Sequence, residues 1–455
     1  MAAVKPGLGA YAYQVAIVGA GFLADAYDLF VIDLVISILH RLQPGGLAVG
    51  SKSLVASATL VGAMIGQLVF GVLGDWIGRR GTFLATCFLI IGGAVLSGCV
   101  VWTSDASPFG LVQQLALCRF FLGVGVGGEY PLAATIAAEG APEGSRGRFI
   151  AAVFSMQGWG MLLSCLVVLL MLALDTPLEY IWRIALILGA VPSAAVIFIR
   201  AKMQETEMYV EAHGGVPTGL KAHARGAWIH IKSYWRPLIG TTMTWLLLDV
   251  TFYGTGSFKH RVASSLKFGE LRGNPRDEVW DEAMFATLCS CLAIPGYLLS
   301  VAFVDVLGRY AIQFWGFVAM ALNFFVVAFL VGSALAPGAR WTMLVCFGCT
   351  FLFSNFGPNT TTFMLPAEVY PTMVRATCHG LSAAAGKLGA VIGTVAFSPC
   401  EEAFGIRVVL AGCGFVCLVG ALFTAGFTSD AVADLRELDR LTPAAGACGK
   451  VERVA

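Results

Sequence analysis

Charged side chains occur inside stretches of this sequence that are otherwise apolar. Such charges are costly in apolar surroundings, so they normally face a partner or a watery cavity and mark a route for protons or charged solutes. Acids of this kind can carry protons, and buried cations can hold an anion. For each residue taken alone, a structural ion pair between helices is the alternative. The set consists of Asp25, Asp28, Asp33, Arg119, Glu129, Asp249 and Lys387.

One of these acids lies in an aromatic stripe. Trp245, Asp249 and Tyr253 are spaced i, i+4 and i+8, which places them on one face of a helix within an arc of about 80°. An indole N–H, a carboxylate and a phenol on one face can contact a small polar solute. The alternative is a packing stripe, which an unpaired carboxylate disfavours in hydrocarbon.

The stretch SNFGPNTTTF predicts a broken helix. Asn355 and Asn359 stand four residues apart around Gly357 and Pro358. Proline frees a carbonyl from its helical hydrogen bond, and such a break is tolerated where a helix lines a cavity. We therefore expect the two asparagines near a cavity.

The composition identifies the elements that must position these residues. Of the 455 residues, 58% are hydrophobic and 13% are charged, and the mean hydropathy is +0.79. Apolar stretches of roughly 20 residues, long enough to cross a hydrocarbon core of about 30 Å, recur along the chain. The first is too long for a cleaved signal peptide. We predict an all-α polytopic membrane protein with about twelve spans, near residues 11–39, 51–73, 82–102, 110–138, 149–173, 181–200, 237–258, 283–304, 311–333, 341–365, 376–398 and 405–427.

Basic residues are divided unequally between the two sides of the predicted spans. An even number of spans places both termini on one side, which carries about 17 of the 29 Lys and Arg residues against about 10 on the other. The positive-inside rule therefore predicts cytoplasmic termini. The predicted domains are an N-terminal six-helix bundle at 1–200, a cytoplasmic linker at 201–236, a C-terminal six-helix bundle at 237–430 and a cytoplasmic tail at 431–455.

An internal repeat relates the two bundles. GVLGDWIGRR at 71–80 reappears as VAFVDVLGRY at 301–310, displaced by 230 residues, and AAEGAPEGSRGR at 137–148 is matched by PAEVYPTMVRAT at 366–377, displaced by 229. Two motifs with nearly the same displacement indicate two halves of six spans. In transporters built this way, the substrate binds midway through the bilayer between the repeats.

The repeated motifs combine acids, glycine and arginine at the ends of predicted spans. They predict a salt-bridge latch that breaks when the halves move. Positive-inside anchoring is the alternative, but it accounts for the arginines and not for the repeated acids. The predicted gating residues are Asp75, Arg79, Arg80, Glu139, Arg146, Asp305, Arg309, Glu368 and Arg375.

Two further motifs could suggest a cofactor or a metal. GVGVGG at 123–128 has no preceding strand, so we interpret it as a site of close helix packing. Cys346 and Cys349 have neither histidine neighbours nor a second ligand pair, which indicates packing residues. We predict no cofactor, no metal and no enzymatic activity, and the net charge of +1 gives no support for nucleic-acid binding.

Several stretches resemble the proton-coupled inorganic phosphate symporters of plants and fungi, within the major facilitator superfamily. They include GFLADAYDLF, GQLVFGVLGDWIGRR, RFFLGVGVGGEYPLAATI, FIAAVFSMQGWG, TWLLLDVTFYG and NFGPNTTTFMLPAEVYPTMVRATCHGLSAAAGKLGA. The resemblance runs from about residue 10 to about residue 428 and implies the major facilitator fold. It also implies that phosphate is surrounded by Tyr130, Gln157, Trp245, Asp249, Tyr253, Asn359 and Lys387.

The resemblance further implies that Asp25 and Glu129 help to move protons, and we place Asp28 and Asp249 in the same proton-coupling group. Three positions depart from the family pattern. Glu129 stands where the family usually has Asp, Asp33 is an additional acid, and Gln204 replaces a usual proline. None of these removes a residue matched to the anion site.

We therefore expect a phosphate importer of the plasma membrane, driven by protons and working by alternating access. Its predicted partners are inorganic phosphate, protons and the lipid bilayer, with no nucleic acid and no obligatory protein partner. Two other functions remain open: a facilitator for a sugar or an organic cation, and a phosphate receptor with little transport. A cation carrier has little use for Lys387.

Overall fold

The computed structural model describes residues 8–43, 45–47, 50–102, 110–142, 144–213, 219–256, 274–331, 337–430 and 435–441. Regular secondary structure in these ranges is helical. In chain order the helices are α1 Leu8–Leu42, α2 Ser51–Ile77, α3 Arg79–Gly98, α4 Leu111–Gly140, α5 Arg146–Ala173, α6 Leu178–Leu188, α7 Ala190–Lys202, α8 Glu207–His213, α9 Leu220–Ser233, α10 Trp235–Gly256, α11 Pro275–Leu307, α12 Arg309–Val331, α13 Pro337–Asn355, α14 Pro358–Glu368, α15 Arg375–Phe404, α16 Ile406–Phe427 and α17 Leu435–Leu441.

The predicted all-α membrane fold is confirmed. Among the described residues, nine helical segments are long and apolar enough to cross a membrane, including one in which α6 and α7 form a single span. The other three predicted spans coincide with α1, α10 and the pair α13–α14. We refer to α1–α7 as the N-half and to α10–α16 as the C-half.

Glycines bring α2 and α4 into backbone contact. A Cβ atom added to Gly123 would collide with the carbonyl oxygen of Thr59, and one added to Gly127 would collide with that of Ala63. Small residues allow helices in a membrane to approach this closely. The GVGVGG motif is therefore a helix-packing motif, as its sequence context indicates.

The tenth predicted span is broken where the sequence places glycine and proline. α13 ends at Asn355 and α14 begins at Pro358. The carbonyl oxygen of Asn355 accepts hydrogen bonds from the hydroxyls of Ser300 and Thr360, each at 2.7 Å. Side-chain hydroxyls thus replace the backbone N–H donor that the carbonyl group loses where the helix is broken.

The two halves meet along two helix pairs, α5 with α11 and α2 with α15. At the first pair, a Cβ atom on Gly158 would lie 2.7 Å from the ring of Tyr297. At the second, one on Gly380 would collide with the carbonyl oxygen of Gln67. α7 ends at Lys202 and α10 begins at Trp235, so α8 and α9 lie within the connection between the halves. The four-part domain division stays a prediction.

Candidate functional site

A buried ammonium group lies where the two halves meet. The Nζ atom of Lys387, on α15, donates to Asp249 Oδ2 at 3.2 Å and to the hydroxyl of Tyr253 at 3.1 Å. The same atom lies 5.0 Å from the ring centroid of Tyr130 and 4.7 Å from that of Tyr253. Lys387 and Asp249 are almost fully buried. The positive charge is therefore held by one carboxylate, one hydroxyl and two ring faces.

A network of amides and phenols adjoins this cluster. Gln157 Oε1 accepts from the hydroxyl of Tyr297 at 2.7 Å and from Asn359 Nδ2 at 3.1 Å. Gln157 Nε2 lies 3.5 Å from the hydroxyl of Tyr130, and Asn359 Nδ2 also donates to Asn355 Oδ1 at 2.8 Å. Side chains of α4 and α5 thus join side chains of α11 and α14 across the contact between the halves.

Tyr297 is a site residue that the sequence reasoning missed. It lies on α11 and bonds two residues of the predicted anion set, Gln157 and Asn359. The displacement of 230 residues that relates the motifs also relates Tyr297 to Gln67 and Lys387 to Gln157. Applying that displacement to the polar residues of the first half would have selected Tyr297.

Trp245 completes the predicted aromatic stripe. A Cβ atom on Gly386 would collide with its indole ring, so the glycine before Lys387 leaves room for the indole. The Trp245 ring lies 6.3 Å from that of Tyr130 and 5.5 Å from that of His379. All seven predicted anion-site residues are therefore brought together around one position.

The acid at position 129 is paired with an arginine that the sequence reasoning had counted among the loop charges. Glu129 Oε1 accepts from Arg200 Nη1 at 2.5 Å and from the hydroxyl of Thr86 at 3.1 Å. Both members of the pair are buried, and the Arg200 guanidinium stacks 3.7 Å from the ring centroid of Phe83. A Cβ atom on Gly21 would collide with both charged groups, so only glycine leaves room for the pair beside α1.

Two further acids of α1 are buried in the N-half. Asp28 faces Arg119, with 3.7 Å between Oδ1 and Nη1, and both residues are fully buried. Asp25 is fully buried within electrostatic reach of Glu129 and Arg200. Within the described part of the chain, the carboxylate oxygens of Asp25 and Asp28 accept no hydrogen bonds. Asp28, Glu129 and Asp249 each have a basic partner within 4 Å, whereas Asp25 has none among the described residues.

Asp33 lines a vestibule between the halves, at the end of α1 that is remote from the N-terminus. A cavity of about 200 Å³ is bounded by Asp33, Ser37, Ser53, Glu282, Ser290 and Ser398, among others. A smaller cavity of about 40 Å³ also contacts Asp33 and extends to Tyr253. Because Tyr253 bonds Lys387, the vestibule leads towards the buried ammonium.

A charged cluster, which we name the gate, joins the halves at the opposite end of their contact. Glu139 Oε1 accepts from Arg79 Nη2 at 3.0 Å and from Arg375 Nη1 at 2.8 Å, and the side chains of all three residues are buried. Arg79 Nη2 also donates to the carbonyl oxygen of Thr372 at 3.0 Å. Arg79 and Glu139 belong to the N-half and Arg375 to the C-half, so these bonds cross between the halves.

The aspartates of the repeated motif have equivalent positions at this gate. Asp75 accepts from the backbone nitrogens of Ala376 at 3.2 Å and Thr377 at 2.7 Å, in the first turn of α15. Asp305 accepts from the backbone nitrogen of Arg148 at 3.0 Å, in the first turn of α5. Each half thus supplies an acid to the positive end of a helix in the other half.

Arg80, Arg309 and Glu368 make contacts within their own halves. Arg309 donates twice to Glu368, each time at 2.9 Å, and lies 3.0 Å from Asp305. Arg80 is exposed and donates to the carbonyl oxygen of Ala201 at 2.6 Å. Arg146 is the first residue of α5. The predicted latch residues therefore collect at one end of the molecule, although these contacts of Arg80 and Arg309 do not join the halves.

The vestibule end has a second charged contact between the halves, which the sequence reasoning missed. Arg41, at the end of α1, lies 3.0 Å from Glu278 Oε2 and 2.7 Å from Glu282 Oε1 on α11. Ser37 also donates to Glu282. Both ends of the contact between the halves are thus held by ion pairs.

Comparisons with known proteins agree with this architecture. A family model described as sugar (and other) transporter matches residues 13–219 and 277–435. A probable inorganic phosphate transporter 1-3 of Arabidopsis thaliana is 36% identical, over 90% of this chain and 91% of its own length. Inorganic phosphate transporter 1-1 of Oryza sativa subsp. japonica is 36% identical, over 84% of this chain and 82% of its own.

Solved structures with the same fold include a proton:xylose symporter of the major facilitator superfamily bound to 6-bromo-6-deoxy-D-glucose. It is 18% identical and superimposes with a TM-score of 0.76, over 94% of this chain and 99% of that one. An inward-open xylose transporter from E. coli is 17% identical and superimposes with a TM-score of 0.65. At this level of identity, the likeness is one of fold.

Proposed function

We propose that this chain, which belongs to the inorganic phosphate transporters within the sugar (and other) transporter family of the major facilitator superfamily, imports inorganic phosphate together with protons. The relatives named above are inorganic phosphate transporters and cover most of the chain. The observation that carries the proposal is the buried Lys387 ammonium, which contacts Tyr130 of the N-half and Asp249 of the C-half.

Phosphate binding rests on this ammonium and on the donors around it. A buried cation among phenol, amide and indole groups suits a small oxyanion. Tyr130, Gln157, Trp245, Tyr253 and Asn359 supply hydrogen bonds. The pairing of Lys387 with Asp249 disfavours an organic cation as substrate, because that cation would have to displace a lysine from its carboxylate.

Proton coupling rests on the balance of buried charge. In the described spans near the site, Glu129, Asp28 and Asp249 each have a basic partner. Asp28 accepts no hydrogen bond among the described residues but lies 3.7 Å from Arg119, whereas Asp25 has neither an ion-pair partner nor a hydrogen-bond partner there. A buried carboxyl group in that situation is less costly when it holds a proton. We assign Asp25 as the acid that is loaded with a proton, and Asp249 as the acid that links this loading to phosphate.

The coupling step follows from competition for one cation. Phosphate that enters the site competes with Asp249 for Lys387, and a protonated Asp249 releases the lysine to the anion. After phosphate and proton leave towards the cytoplasm, Asp249 pairs with Lys387 again for the return step. The two halves alternate between the two ion-paired gates during this cycle.

Phosphate uptake into proteoliposomes tests the proposal. Labelled phosphate should accumulate when the outside is acidic and only equilibrate when no pH gradient is present. Asp25→Asn should still bind phosphate and exchange it, but should no longer accumulate it against a gradient. Accumulation that is insensitive to the pH gradient would contradict proton coupling, and the absence of any phosphate movement would contradict the substrate.

The orientation of the chain completes the proposal. The connections that carry the gate of Glu139 and Arg375 are on the side richer in Lys and Arg, which we assign to the cytoplasm. The vestibule lined by Asp33 and Glu282 then faces the outside of the plasma membrane. Protease protection of the tail in sealed vesicles tests this assignment.

A further inference from the structure

One stripe of helix α9 combines basic and tryptophan side chains. Lys221, Arg225, Trp228, Lys232 and Trp235 are spaced by four, three, four and three residues, so they lie along one face that continues into the start of α10. All five are exposed, and each of the two tryptophans is 58% exposed. The Lys232 Nζ atom lies 5.1 Å from the ring centroid of Trp228.

The neighbouring face of α9 fixes the helix against the C-half. Ala227 and Ile231 belong to an apolar cluster with Tyr370 and Val374, in the connection before α15. The two faces are separated by roughly 100° around the helix, because Ala227 and Ile231 each precede a stripe residue by one position. The orientation of the basic and aromatic stripe is therefore set by packing on the protein.

The stripe adjoins the start of a predicted membrane span. α9 ends at Ser233, and the span α10 begins at Trp235. Tryptophan is enriched at membrane–water interfaces, where its ring can contact both lipid chains and headgroups. An exposed tryptophan at the first residue of the span and another two turns earlier are consistent with a helix that runs along this interface.

The charge of this region is of one sign. The sequence contains no acidic residue between Glu211 and Asp249, whereas it contains Lys221, Arg225, Lys232 and Arg236. Clusters of Lys and Arg beside a span attract anionic lipids. We propose that the stripe of Lys221, Arg225, Trp228, Lys232 and Trp235 is a binding surface for anionic phospholipid headgroups in the leaflet on the gate side.

The proposal does not depend on what the protein transports. It concerns a surface outside the phosphate site, and its test requires no transport. Free phosphate shares the headgroup chemistry, and an acidic protein would also suit the charge. A membrane lipid is favoured because the tryptophans lie on the same stripe as the basic residues and because the stripe runs directly into a span.

Hydrogen exchange on the full-length protein in lipid nanodiscs tests the proposal. Amide exchange of residues 220–236 is compared in phosphatidylcholine discs and in discs that also contain phosphatidylserine. We expect slower exchange in the anionic discs. Arg225→Gln/Lys232→Gln should lose this protection, since each basic residue near an anionic surface contributes about a fivefold change in affinity.

The control variant is Arg436→Gln/Arg440→Gln, which removes the same charge from exposed positions of α17. It should keep the protection. Equal exchange in both kinds of disc, loss of protection in both variants, or equal protection by free phosphate in phosphatidylcholine discs would each overturn the proposal.

A second measurement guards against misfolding of the charge variant. Brominated phosphatidylserine quenches tryptophan fluorescence on contact. In Trp228→Phe, the fraction of fluorescence quenched by brominated phosphatidylserine should fall, and it should fall more than the fraction quenched by brominated phosphatidylcholine. Trp315→Phe is the control, because Trp315 is exposed on span α12 of the C-half. If quenching by brominated phosphatidylserine falls no more in Trp228→Phe than in Trp315→Phe, the stripe does not contact anionic lipid.

Discussion

Asp75 Oδ2 lies 2.7 Å from the backbone nitrogen of Thr377, so an acid of the N-half caps the first turn of a helix in the C-half. Asp305 has the equivalent relationship with Arg148. A carboxylate at a helix N-terminus satisfies free N–H groups and interacts favourably with the helix dipole. These bonds must be broken when the two halves separate, so they contribute directly to the stability of the closed gate.

Asp75→Ala should therefore increase the population of the open gate. Loss of a helix cap costs about 1 kcal/mol, which corresponds to roughly a fivefold change in population. The rate of maleimide labelling at Cys378, a buried residue in the first turn of α15, measures this change by peptide mass spectrometry. Asp430→Ala is the control, because Asp430 accepts from the backbone of Tyr310 within the same half. An equal increase in both variants would argue against a role across the halves.

Lys387→Ala should abolish measurable phosphate binding, and Lys387→Arg should weaken it. The ammonium is the positive charge of the site, and a planar guanidinium does not fit the space between Asp249 and the tyrosine rings. Isothermal titration with phosphate measures both affinities. An alanine variant that binds as tightly as the unmodified protein would remove Lys387 from the anion site.

Removal of the carboxylate at Glu129 should leave Arg200 as an unpaired buried cation. Glu129→Gln should lower the free energy of unfolding by about 3–5 kcal/mol and stop proton-driven uptake. Glu129→Gln/Arg200→Gln should recover most of the stability without restoring proton-driven uptake. Glu129→Asp should keep transport and shift its pH optimum. Thermal unfolding and uptake, measured on the same preparations, separate these effects. If the losses of stability in Glu129→Gln and Arg200→Gln simply add in the double variant, the two residues are not coupled.

Sulfate should fail to compete with phosphate near neutral pH. Phosphate then carries at least one hydroxyl, which can donate to Asp249 while that carboxylate is ionised, whereas sulfate carries none. A protonated Asp249 can donate to either anion, so selectivity should fall as the external pH is lowered. A site built around such a bond typically rejects the analogue without it by about 10⁴. Asp249→Asn should lower phosphate affinity and narrow the difference between the two anions. Competition by sulfate at concentrations close to those of phosphate would contradict this role of Asp249.

The sequence was sufficient to predict the spans and to select most of the residues that the structure brings together, because both leave local signals. Apolar runs mark spans, and polar residues inside them are few. Tyr297 gave no local signal, since a tyrosine in an apolar span is compatible with packing, and only its displacement of 230 residues from Gln67 could have selected it. Arg200 was missed because it lies at the end of a span, where hydropathy alone places a cation in the connecting loop. Its pairing with Glu129 depends on how α4 and α7 pack.

The hydrogen bonds that Asp75 and Asp305 make across the two halves could not be predicted from the sequence, for a different reason. The repeated motif identified both acids, but their partners are backbone nitrogens, which every residue except proline possesses. No pattern of side chains could therefore have selected Thr377 or Arg148. The gate as a region was predictable from the repeat, whereas its hydrogen bonds required the arrangement of the two halves.

The glycine contacts between α2 and α4 restrict how the gate can open. With backbone packed directly on backbone at Gly123 and Gly127, the two helices cannot slide or rotate independently without losing contact along their length. Asp75 lies near the end of α2, and Glu139 lies near the end of α4. The helix cap at α15 and the ion pair with Arg375 must consequently break together, so opening of the gate is a single cooperative step.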